Sequence, residues 1–163
     1  MKTLLVIRHA KSGWGDFSLP DFERPLNERG KKDAPEMAKR LLEKKIRIDA
    51  FVSSPAKRAK KTAKLFGREY NVKEEQIILV DRLYNASMET FFEVIAGLDD
   101  RYDHVAIFSH NPGITDFVNR LCKGVQIDDM PTCGIFAVET AIEKWIDFRH
   151  AEKKFLFFDY PKN

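Results

Sequence analysis

Short runs of β-prone apolar residues alternate along the chain with longer segments whose apolar positions recur at helical spacing. The runs that predict strands are residues 3–7, 49–53, 77–80 and 104–108. A predicted helix follows each run, over about residues 28–45, 56–68, 88–98 and 113–122. Because strands and helices alternate, we expect an α/β fold with a mostly parallel sheet that is covered on both faces.

The last part of the chain departs from this alternation. Residues 134–140 and 154–160 predict two further strands, which we expect to form a hairpin at or near an edge of the sheet. Trp145 and Phe148 lie between these two strands and should cover apolar surface there. The predicted sheet is therefore mostly parallel, with an antiparallel edge.

Capping and breaking residues mark the helix boundaries. Asn27 is the predicted N-cap of the first helix, but Pro35 fits badly in a helix interior and allows a later start. Gly124 is the expected stop of the fourth helix. The apolar face of the first helix is predicted to contain Ala34, Met37, Ala38, Leu41 and Leu42.

The chain has 163 residues, enough to bury roughly 70% of its extended-chain surface, so we expect a single domain over residues 1–163. Cys122 and Cys133 are too few for a disulfide framework, which favours a reducing compartment. No apolar run reaches the roughly 18 residues of a membrane span, and the first residues lead into a strand rather than a signal peptide. The expected location is the cytoplasm, with no membrane partner.

Positive charge is concentrated in the first half of the chain. Residues 1–80 contain 19 Lys and Arg against 11 Asp and Glu, whereas residues 81–163 contain 9 against 14. The two halves therefore carry formal charges of +8 and −5. A basic half is typical of proteins that bind nucleic acid, a membrane surface or small anions, and the placement of the charges decides among these.

Two histidines and two arginines follow predicted strands at their carboxyl ends. Arg8 and His9 follow the first strand, Arg58 lies in the helix turn after the second, and His110 follows the strand at 104–108. In open α/β sheets the ligand crevice lies beyond these strand ends, so we expect the four side chains to face one pocket. All four are cationic or can become so, which favours an anionic ligand with phosphoryl oxygens over a metal ion.

Two other kinds of site are disfavoured. The sequence has no HExxH or CxxC motif and no carboxylate at ligand spacing from His9 or His110, so we expect no metal and no cofactor. The basic residues of the second helix are expected to spread around it as solvated faces, without an aromatic platform for nucleic acid. These residues are Lys57, Arg58, Lys60, Lys61, Lys64 and Arg68. No nucleic-acid partner is therefore expected.

Four motifs occur in order along the chain. They are Arg8-His9-Ala10-Lys11-Ser12, Arg24-Pro25-Leu26-Asn27-x-x-Gly30, Ser53-Ser54-Pro55-x-x-Arg58-Ala59-x-x-Thr62 and Ser109-His110-Asn111-Pro112. Through them the whole chain resembles the histidine phosphatase superfamily, with its phosphoglycerate mutase-like fold, and within it the SixA-type phosphohistidine phosphatases. The resemblance implies a three-layer α/β/α sandwich and a phosphohistidine intermediate on His9. It also implies a phosphate pocket formed by Arg8, Arg58 and His110, with Ser12 as a further phosphate-binding residue.

The residues themselves are compatible with this chemistry. For in-line attack on phosphorus, His9 must be neutral at its attacking nitrogen, and we expect the flanking guanidinium charges to lower its pKa. Its second ring nitrogen is expected to donate to a backbone carbonyl, which selects the tautomer. Arg8, Arg58 and His110 can then stabilise the equatorial oxygens of the transition state, and water releases inorganic phosphate.

The chain also departs from the pattern of the family. Ala10 stands where Gly usually follows the Arg-His pair, and Gly15 stands where an Asn commonly helps to hold phosphate. The general-acid Glu of phosphoglycerate mutases and many acid phosphatases normally follows a Leu in this region, but Tyr84 follows Leu83 here. An alcohol leaving group needs protonation, whereas the imidazole of a phosphoramidate departs more easily. The missing acid therefore favours phosphohistidine on a protein as the substrate.

Two alternatives stay open at this point. Asp16, Asp21, Glu23 or Glu89 could supply an acid from a loop or a helix start. The protein would then be a phosphomonoesterase or mutase that acts on small phosphorylated metabolites. A chain with little catalysis would instead be a module that binds a phosphorylated ligand. The loop over about residues 13–24, which contains Trp14, is the expected lid of the pocket.

Overall fold

A six-stranded sheet organises the structure, a computed structural model that describes residues 1–13 and 17–163. The strands are β1 (Lys2–Arg8), β2 (Ala50–Ser53), β3 (Ile78–Leu79), β4 (His104–Ser109), β5 (Ile135–Thr140) and β6 (Lys154–Asp159). The helices are α1 (Glu28–Glu43), α2 (Lys57–Glu69), α3 (Met88–Ala96) and α4 (Gly113–Val118). Trp14, Gly15 and Asp16, which the sequence analysis discussed as lid, phosphate-site and acid positions, lie outside the described residues.

The strand order across the sheet is β3-β2-β4-β1-β5-β6. The strands β3, β2, β4 and β1 run parallel to one another, whereas β5 is antiparallel to both β1 and β6. The predicted mostly parallel sheet with an antiparallel edge is thus confirmed. Because four parallel strands end at the same edge, the loops that follow β1, β2 and β4 meet there.

Side chains of β1 point alternately into two separate apolar cores. Leu4 and Val6 pack on one face of the sheet with residues of α3 and α4, and Leu5 and Ile7 pack on the other with residues of α1 and α2. All four side chains are fully buried, as the unbroken apolar run in the sequence predicts. The structure therefore has three layers, with a helix pair on each face of the sheet.

The first helix begins where its N-cap predicts. The side-chain oxygen of Asn27 accepts a hydrogen bond from the backbone N–H of Gly30 at 2.9 Å, and the helix starts at Glu28. Pro35 lies inside the helix, so the later start that it allowed does not occur. Leu42, which was expected on the apolar face, is 40% exposed and lies outside the core.

The fourth helix is shorter than predicted, since α4 ends at Val118 rather than at Cys122. The side chain of Asn119 bonds both the N–H and the C=O of Ile127, at 2.8 and 2.9 Å, and so ties the helix end to a distant turn. Gly124, the expected stop, lies in that turn with φ +80°. A contact between residues eight positions apart therefore decides where this helix ends.

The connection between the last two strands covers the sheet as predicted. Trp145 and Phe148 are almost completely buried in the core that contains α3 and α4. The indole N–H of Trp145 donates to the backbone carbonyl of Tyr102 at 2.8 Å, so burial leaves this polar group paired. Within residues 1–13 and 17–163, no helix is long and apolar enough to cross a membrane.

The lysines of α2 do not spread around the helix, and this expectation was wrong. Lys57, Lys60, Lys61 and Lys64 follow each other at intervals of three, one and three residues, which places them on one helix face. Together with Lys31 they line a cleft of about 520 Å³, here called the lysine cleft. Arg58, one residue after Lys57, points the other way and is buried.

We predict that Gly30→Ala lowers the free energy of unfolding by about 1–3 kcal/mol, measured by chemical denaturation. A Cβ at Gly30 would overlap the carbonyl oxygen of Lys11, and the other close atoms are also backbone atoms of Lys11, so no flexible side chain can move away. Gly97→Ala is the matched control, because its Cβ would meet no atom closer than 3.7 Å. Equal losses in the two variants would contradict this account of the packing at Gly30.

Candidate active site

Parallel pairing of β1 with β4 brings the two candidate histidines together. Arg8 is in register with Ser109, and the backbone N–H of His9 donates to the carbonyl of Ser109 at 3.1 Å. His9 and His110 therefore leave adjacent strand ends side by side, with ring centroids 5.2 Å apart. Arg58 reaches them from the first turn of α2 and is 6% exposed. The structure thus places Arg8, His9, Arg58 and His110 in one cluster, as the sequence predicts.

These four side chains face a common cavity of about 330 Å³. Its walls are basic or neutral and carry no carboxyl group among the described residues. The lining consists of Arg8, His9, Lys11, Ser12, Arg24, Arg58, His110, Asn111 and Thr132. Guanidinium groups and imidazoles converging on a cavity of this size suit a small, multiply charged oxyanion such as a phosphoryl group.

The tautomer of His9 follows from its surroundings. Its Nδ1 lies 2.7 Å from the carbonyl oxygen of Ala10, and because a carbonyl can only accept, Nδ1 carries the proton. Its Nε2 consequently has a lone pair, and Nε of Arg58 donates to it at 3.4 Å. Thr62 holds this arrangement, since its Oγ1 accepts from the N–H of Ala10 and donates to the carbonyl of Arg58. His9 therefore presents an unprotonated nitrogen beside a guanidinium group.

Burial keeps both histidines neutral. Loss of solvation lowers the pKa of His9 to about 3, against the opposing hydrogen bond to Ala10, and the nearby His110 and guanidinium groups add smaller effects in the same direction. Burial likewise lowers the pKa of His110 to about 3, followed by repulsion from Arg58. The sequence analysis attributed the low pKa of His9 to the flanking arginines, but burial is the larger cause.

A hydroxyl group orients the second histidine. Nε2 of His110 lies 2.8 Å from Oγ of Ser54, and the same oxygen accepts the backbone N–H of Ala56 at the start of α2. The ring of Tyr84 packs edge-on against the imidazole, with centroids 5.5 Å apart. Among the described residues, Nδ1 of His110 has no hydrogen-bond partner. The loop after β2 thus holds the side chain that follows β4.

The carboxylate of Asp21 pairs with the catalytic candidate Arg58. Its Oδ2 accepts from the guanidinium at 3.0 Å and from the hydroxyl of Tyr84 at 2.7 Å. The backbone carbonyl of Asp21 accepts a further hydrogen bond from Arg58 at 2.7 Å. Although partial burial opposes it, the bonds from Tyr84 and Arg58 lower the pKa of Asp21 to about 2. Asp21 is therefore an anion that orients Arg58, and it does not carry a proton at neutral pH.

The other acidic residues considered from the sequence lie elsewhere. Glu23 lines the lysine cleft rather than the histidine cavity. Glu89 forms an ion pair with Arg149 at the protein surface. Asp16 is outside the described residues. Tyr84, at the position where the family's general acid is expected, places its hydroxyl against Asp21. No described carboxyl group is thus placed to protonate a leaving group in this cavity.

Ser12 lies in the cavity wall, where a third arginine holds its hydroxyl. A terminal nitrogen of Arg24 donates to Oγ of Ser12 at 2.7 Å and another pairs with Asp21 at 3.1 Å. Arg8 is held from the opposite side, since it donates to the backbone carbonyl of Met130 at 2.8 Å. Arg24 therefore adds a third guanidinium group to the cavity.

Four further residues of the site, Arg24, Ser54, Thr62 and Tyr84, were not predicted from the sequence. The first three belong to the motifs on which the family resemblance rests, so their place in a motif was a usable signal. Nothing local distinguishes Tyr84, whose contact with Asp21 joins residues 63 positions apart. Within the described ranges, no cluster of three or more His, Cys, Asp and Glu could hold a metal ion.

Comparison with known proteins agrees with the fold and the motifs. The model of the histidine phosphatase superfamily (branch 1) matches residues 4–93, more than half of the chain. An uncharacterized chloroplastic protein of Arabidopsis thaliana is 38% identical over 63 residues. That stretch is 39% of this chain and 29% of the relative, so the chain matches less than a third of that protein's length.

Solved structures share the fold over nearly the whole chain. The protein histidine phosphatase SixA complexed with tungstate has a TM-score of 0.83 and 21% identity, covering 99% of this chain and 98% of that one. A candidate phosphohistidine phosphatase SixA from Agrobacterium tumefaciens has a TM-score of 0.81 and 24% identity, covering 98% of each chain. Mycobacterial glucosyl-3-phosphoglycerate phosphatase has a TM-score of 0.74 and 14% identity, covering 98% and 100%.

The fold and the cavity define an α/β protein whose clustered arginines and histidines suit a phosphoryl group. The chain belongs to the histidine phosphatase superfamily, a superfamily of phosphatases, and its fold is that of the SixA-type members.

The free energy of unfolding should decrease by about 2 kcal/mol per buried histidine between pH 7 and pH 5. In the unfolded chain each imidazole takes up a proton near pH 6.5, whereas in the folded protein His9 and His110 stay neutral down to about pH 3. Between these values the unfolded state binds more protons, so acid favours unfolding. Urea denaturation at the two pH values measures the change.

The variant His110→Gln should lose less stability than the wild type over the same pH range, because one of the two buried imidazoles is gone. His150→Gln, which removes an exposed histidine outside the cavity, is the matched control and should keep the wild-type change. A pH dependence of His110→Gln equal to that of the wild type would show that burial of His110 is not the source.

Proposed function

We propose that the protein hydrolyses phosphoryl groups through a covalent phosphohistidine on His9. In this proposal Arg8, Arg58 and His110 hold the phosphoryl oxygens, and Ser12 contributes from the cavity wall. The observation that carries the proposal is the unprotonated Nε2 of His9, which lies beside Arg58 because Nδ1 is bound to the carbonyl of Ala10. A neutral imidazole nitrogen among guanidinium groups is a nucleophile directed at an anionic electrophile.

The reaction has two steps. First, Nε2 attacks phosphorus in line with the leaving group, so that a P–N bond forms while the bond to the leaving group breaks and its electron pair departs with that group. The charges of Arg8 and Arg58 stabilise the equatorial oxygens, where negative charge accumulates. Second, water attacks phosphorus, Nε2 recovers the electron pair of the P–N bond, and the water proton passes to the phosphate that is released.

The low pKa of His9 fits this role. With a pKa of about 3, the imidazole has its Nε2 lone pair available at neutral pH without a separate base. A neutral His110 still has one N–H to donate to a phosphoryl oxygen, and Ser54 and Tyr84 hold its ring in place. The permanent positive charge in the cavity therefore belongs to the arginines and to Lys11.

We further propose that the substrate carries a labile phosphoryl group, with phosphohistidine on a protein as the leading candidate. The described cavity lining contains no carboxyl group, and Asp21 is ionised, so alkoxide leaving groups find no proton donor there. The likeness to the protein histidine phosphatase SixA supports the same substrate class. The imidazole of a phosphohistidine, whose second ring nitrogen can already carry a proton, leaves as a neutral group and needs no proton donor in the cavity.

A second candidate function is the hydrolysis of small phosphate monoesters. It is favoured by the likeness to mycobacterial glucosyl-3-phosphoglycerate phosphatase, which covers all of that chain. In either case we propose that residues 1–163 act as one catalytic domain without a cofactor. Because Cys122 and Cys133 are both buried thiols, a reducing compartment such as the cytoplasm is the proposed location.

His9→Ala should lower kcat by at least about 1000-fold, because it removes the nucleophile. Wild-type protein mixed with a labelled phosphoramidate and denatured in alkali should retain a phosphoryl group that acid removes. The variant should retain none, and His150→Ala should behave as the wild type. Unchanged turnover in His9→Ala, with no labelled protein in the wild type, would refute the covalent mechanism.

The leaving group should decide which monoesters react. We expect kcat/KM for p-nitrophenyl phosphate, whose phenolate departs unprotonated, to exceed that for phosphoserine by at least about 100-fold. A phosphohistidine peptide should react at least as well as p-nitrophenyl phosphate. Measured side by side, comparable rates on phosphoserine would instead support the second candidate and would mean that an acid is present.

A further inference from the structure

The lysine cleft lies next to the histidine cavity and is separated from it by one short segment. Residues 21–25 form this partition, with a turn of 3-10 helix at Asp21–Glu23. Asp21 and Arg24 contact the histidine cavity through Arg58 and Ser12. Phe22, Glu23 and Pro25 face the lysine cleft instead. A ligand in the cleft would therefore lie one chain width from a phosphoryl group on His9.

The cleft has an excess of positive charge. Five lysines line it, against two glutamates, Glu23 and Glu74. Lys64 pairs with Glu74 at 3.1 Å and Lys31 with Glu28 at 3.4 Å. Lys57, Lys60 and Lys61 form no ion pair within the described part of the chain. Their ammonium groups are available to an external anion.

Repulsion within the cleft is visible at Lys61. Partial burial lowers the pKa of this lysine, and the positive charges of Arg68, Lys64 and Lys31 lower it further, while Glu74 opposes them. Gathering like charges on one side of a helix is unfavourable in the unbound protein. An anion that entered the cleft would relieve this repulsion, so the arrangement favours binding of negative charge.

The helix α2 links the cleft to the candidate active site. Arg58 is buried on its inner face, whereas Lys57, Lys60, Lys61 and Lys64 lie on the face that lines the cleft. From Lys57 to Lys64 the row is about 10 Å long, the length of three extended residues. The row thus suits a short stretch of chain with closely spaced negative charges better than a single phosphate.

A polypeptide with carboxylates matches the cleft better than a nucleic acid does. The two glutamates would repel a continuous phosphate backbone but can be avoided by spaced carboxylates. The described lining contains one aromatic ring, Phe22, which packs edge-on against Tyr84 with centroids 5.1 Å apart. A single ring that is engaged in this way is not a platform for successive bases.

We propose that the lysine cleft is a docking site for an acidic segment of the phosphorylated protein on which the enzyme acts. This inference rests on the proposed function, because it assigns the protein substrate of that same cavity. The acidic segment binds Lys57, Lys60 and Lys61, and the phosphoryl group enters the adjacent cavity at His9. Selection among phosphoproteins would then depend on charge outside the catalytic residues.

A binding experiment tests the docking site without requiring catalysis. The probe is a fluorescein-labelled peptide of six glutamates separated by serines, titrated with the whole protein and followed by anisotropy. The double variant Lys60→Gln/Lys61→Gln should bind it about tenfold more weakly than the wild type. Lys123→Gln/Lys144→Gln, with the same change in net charge at two exposed lysines outside the cleft, should stay within about twofold.

Each outcome decides the proposal. If both double variants lost affinity for the peptide equally, the effect would come from overall charge and the docking site would be overturned. Unchanged binding in the cleft variant would also overturn it. If the wild type bound a thymidine hexanucleotide more tightly than the peptide, and the cleft variant lost this binding, the ligand would be a nucleic acid. This result would overturn the acidic-peptide assignment.

Turnover separates this inference from the function on which it rests. The cleft variant should hydrolyse p-nitrophenyl phosphate at the wild-type rate, since neither lysine lines the histidine cavity. With a phosphohistidine flanked by glutamates, its kcat/KM should fall about tenfold, and with serines in place of the glutamates it should not. If the wild type bound the acidic peptide as expected but hydrolysed no phosphoryl donor, the proposed function would be refuted. The binding of the peptide to the cleft would not be. A fall on both phosphohistidine peptides would overturn the docking site.

Discussion

Register between β1 and β4 is the constraint on which the candidate site depends. Because Arg8 pairs with Ser109, the next residue on each strand is a histidine, and the two imidazoles leave the sheet at the same level. The N–H of Cys133, just before β5, bonds the carbonyls of Arg8 and His9 and holds the end of β1 from its other side. A slip of one residue would turn these side chains to opposite faces. The apolar cores that bury β1 on both faces therefore also align the catalytic candidates.

In this cavity, burial acts on the histidines, whereas positive charge comes from other side chains. Removal from solvent keeps His9 and His110 neutral, so the groups that carry permanent positive charge in the cavity are the arginines and Lys11. The guanidinium of Arg58 has a counterion in Asp21, which is itself held ionised by Tyr84 and Arg58. An anion that orients an arginine cannot also act as an acid. Among the described carboxylates, Asp21 thus positions Arg58 and does not act as an acid.

The helix α2 contributes side chains to both the candidate active site and the lysine cleft. The buried face of α2 contributes Arg58 and Thr62 to the site, and another face carries the lysines of the cleft. The narrow partition at residues 21–25 borders both cavities, since Asp21 bonds Arg58 and Glu23 lines the lysine cleft. A ligand held by the lysines would touch the segment that orients Arg58. The proposed docking site and the proposed phosphate pocket are therefore adjacent, although they use different side chains.

The strands and the N-cap at Asn27 were predictable from the amino-acid pattern because they depend on local residues. The clustering of Arg8, His9, Arg58 and His110 was also predictable, because parallel strands end at one edge of the sheet. Two other features depend on the tertiary structure. One is the end of α4, where Asn119 binds Ile127, and the other is the contact of Asp21 with Tyr84, 63 residues away. A third such feature is the pKa of His9, which burial lowers more than the arginines do. Residue spacing specifies which side of an element a side chain occupies, but solvation and long-range pairing depend on what the rest of the chain packs against that side.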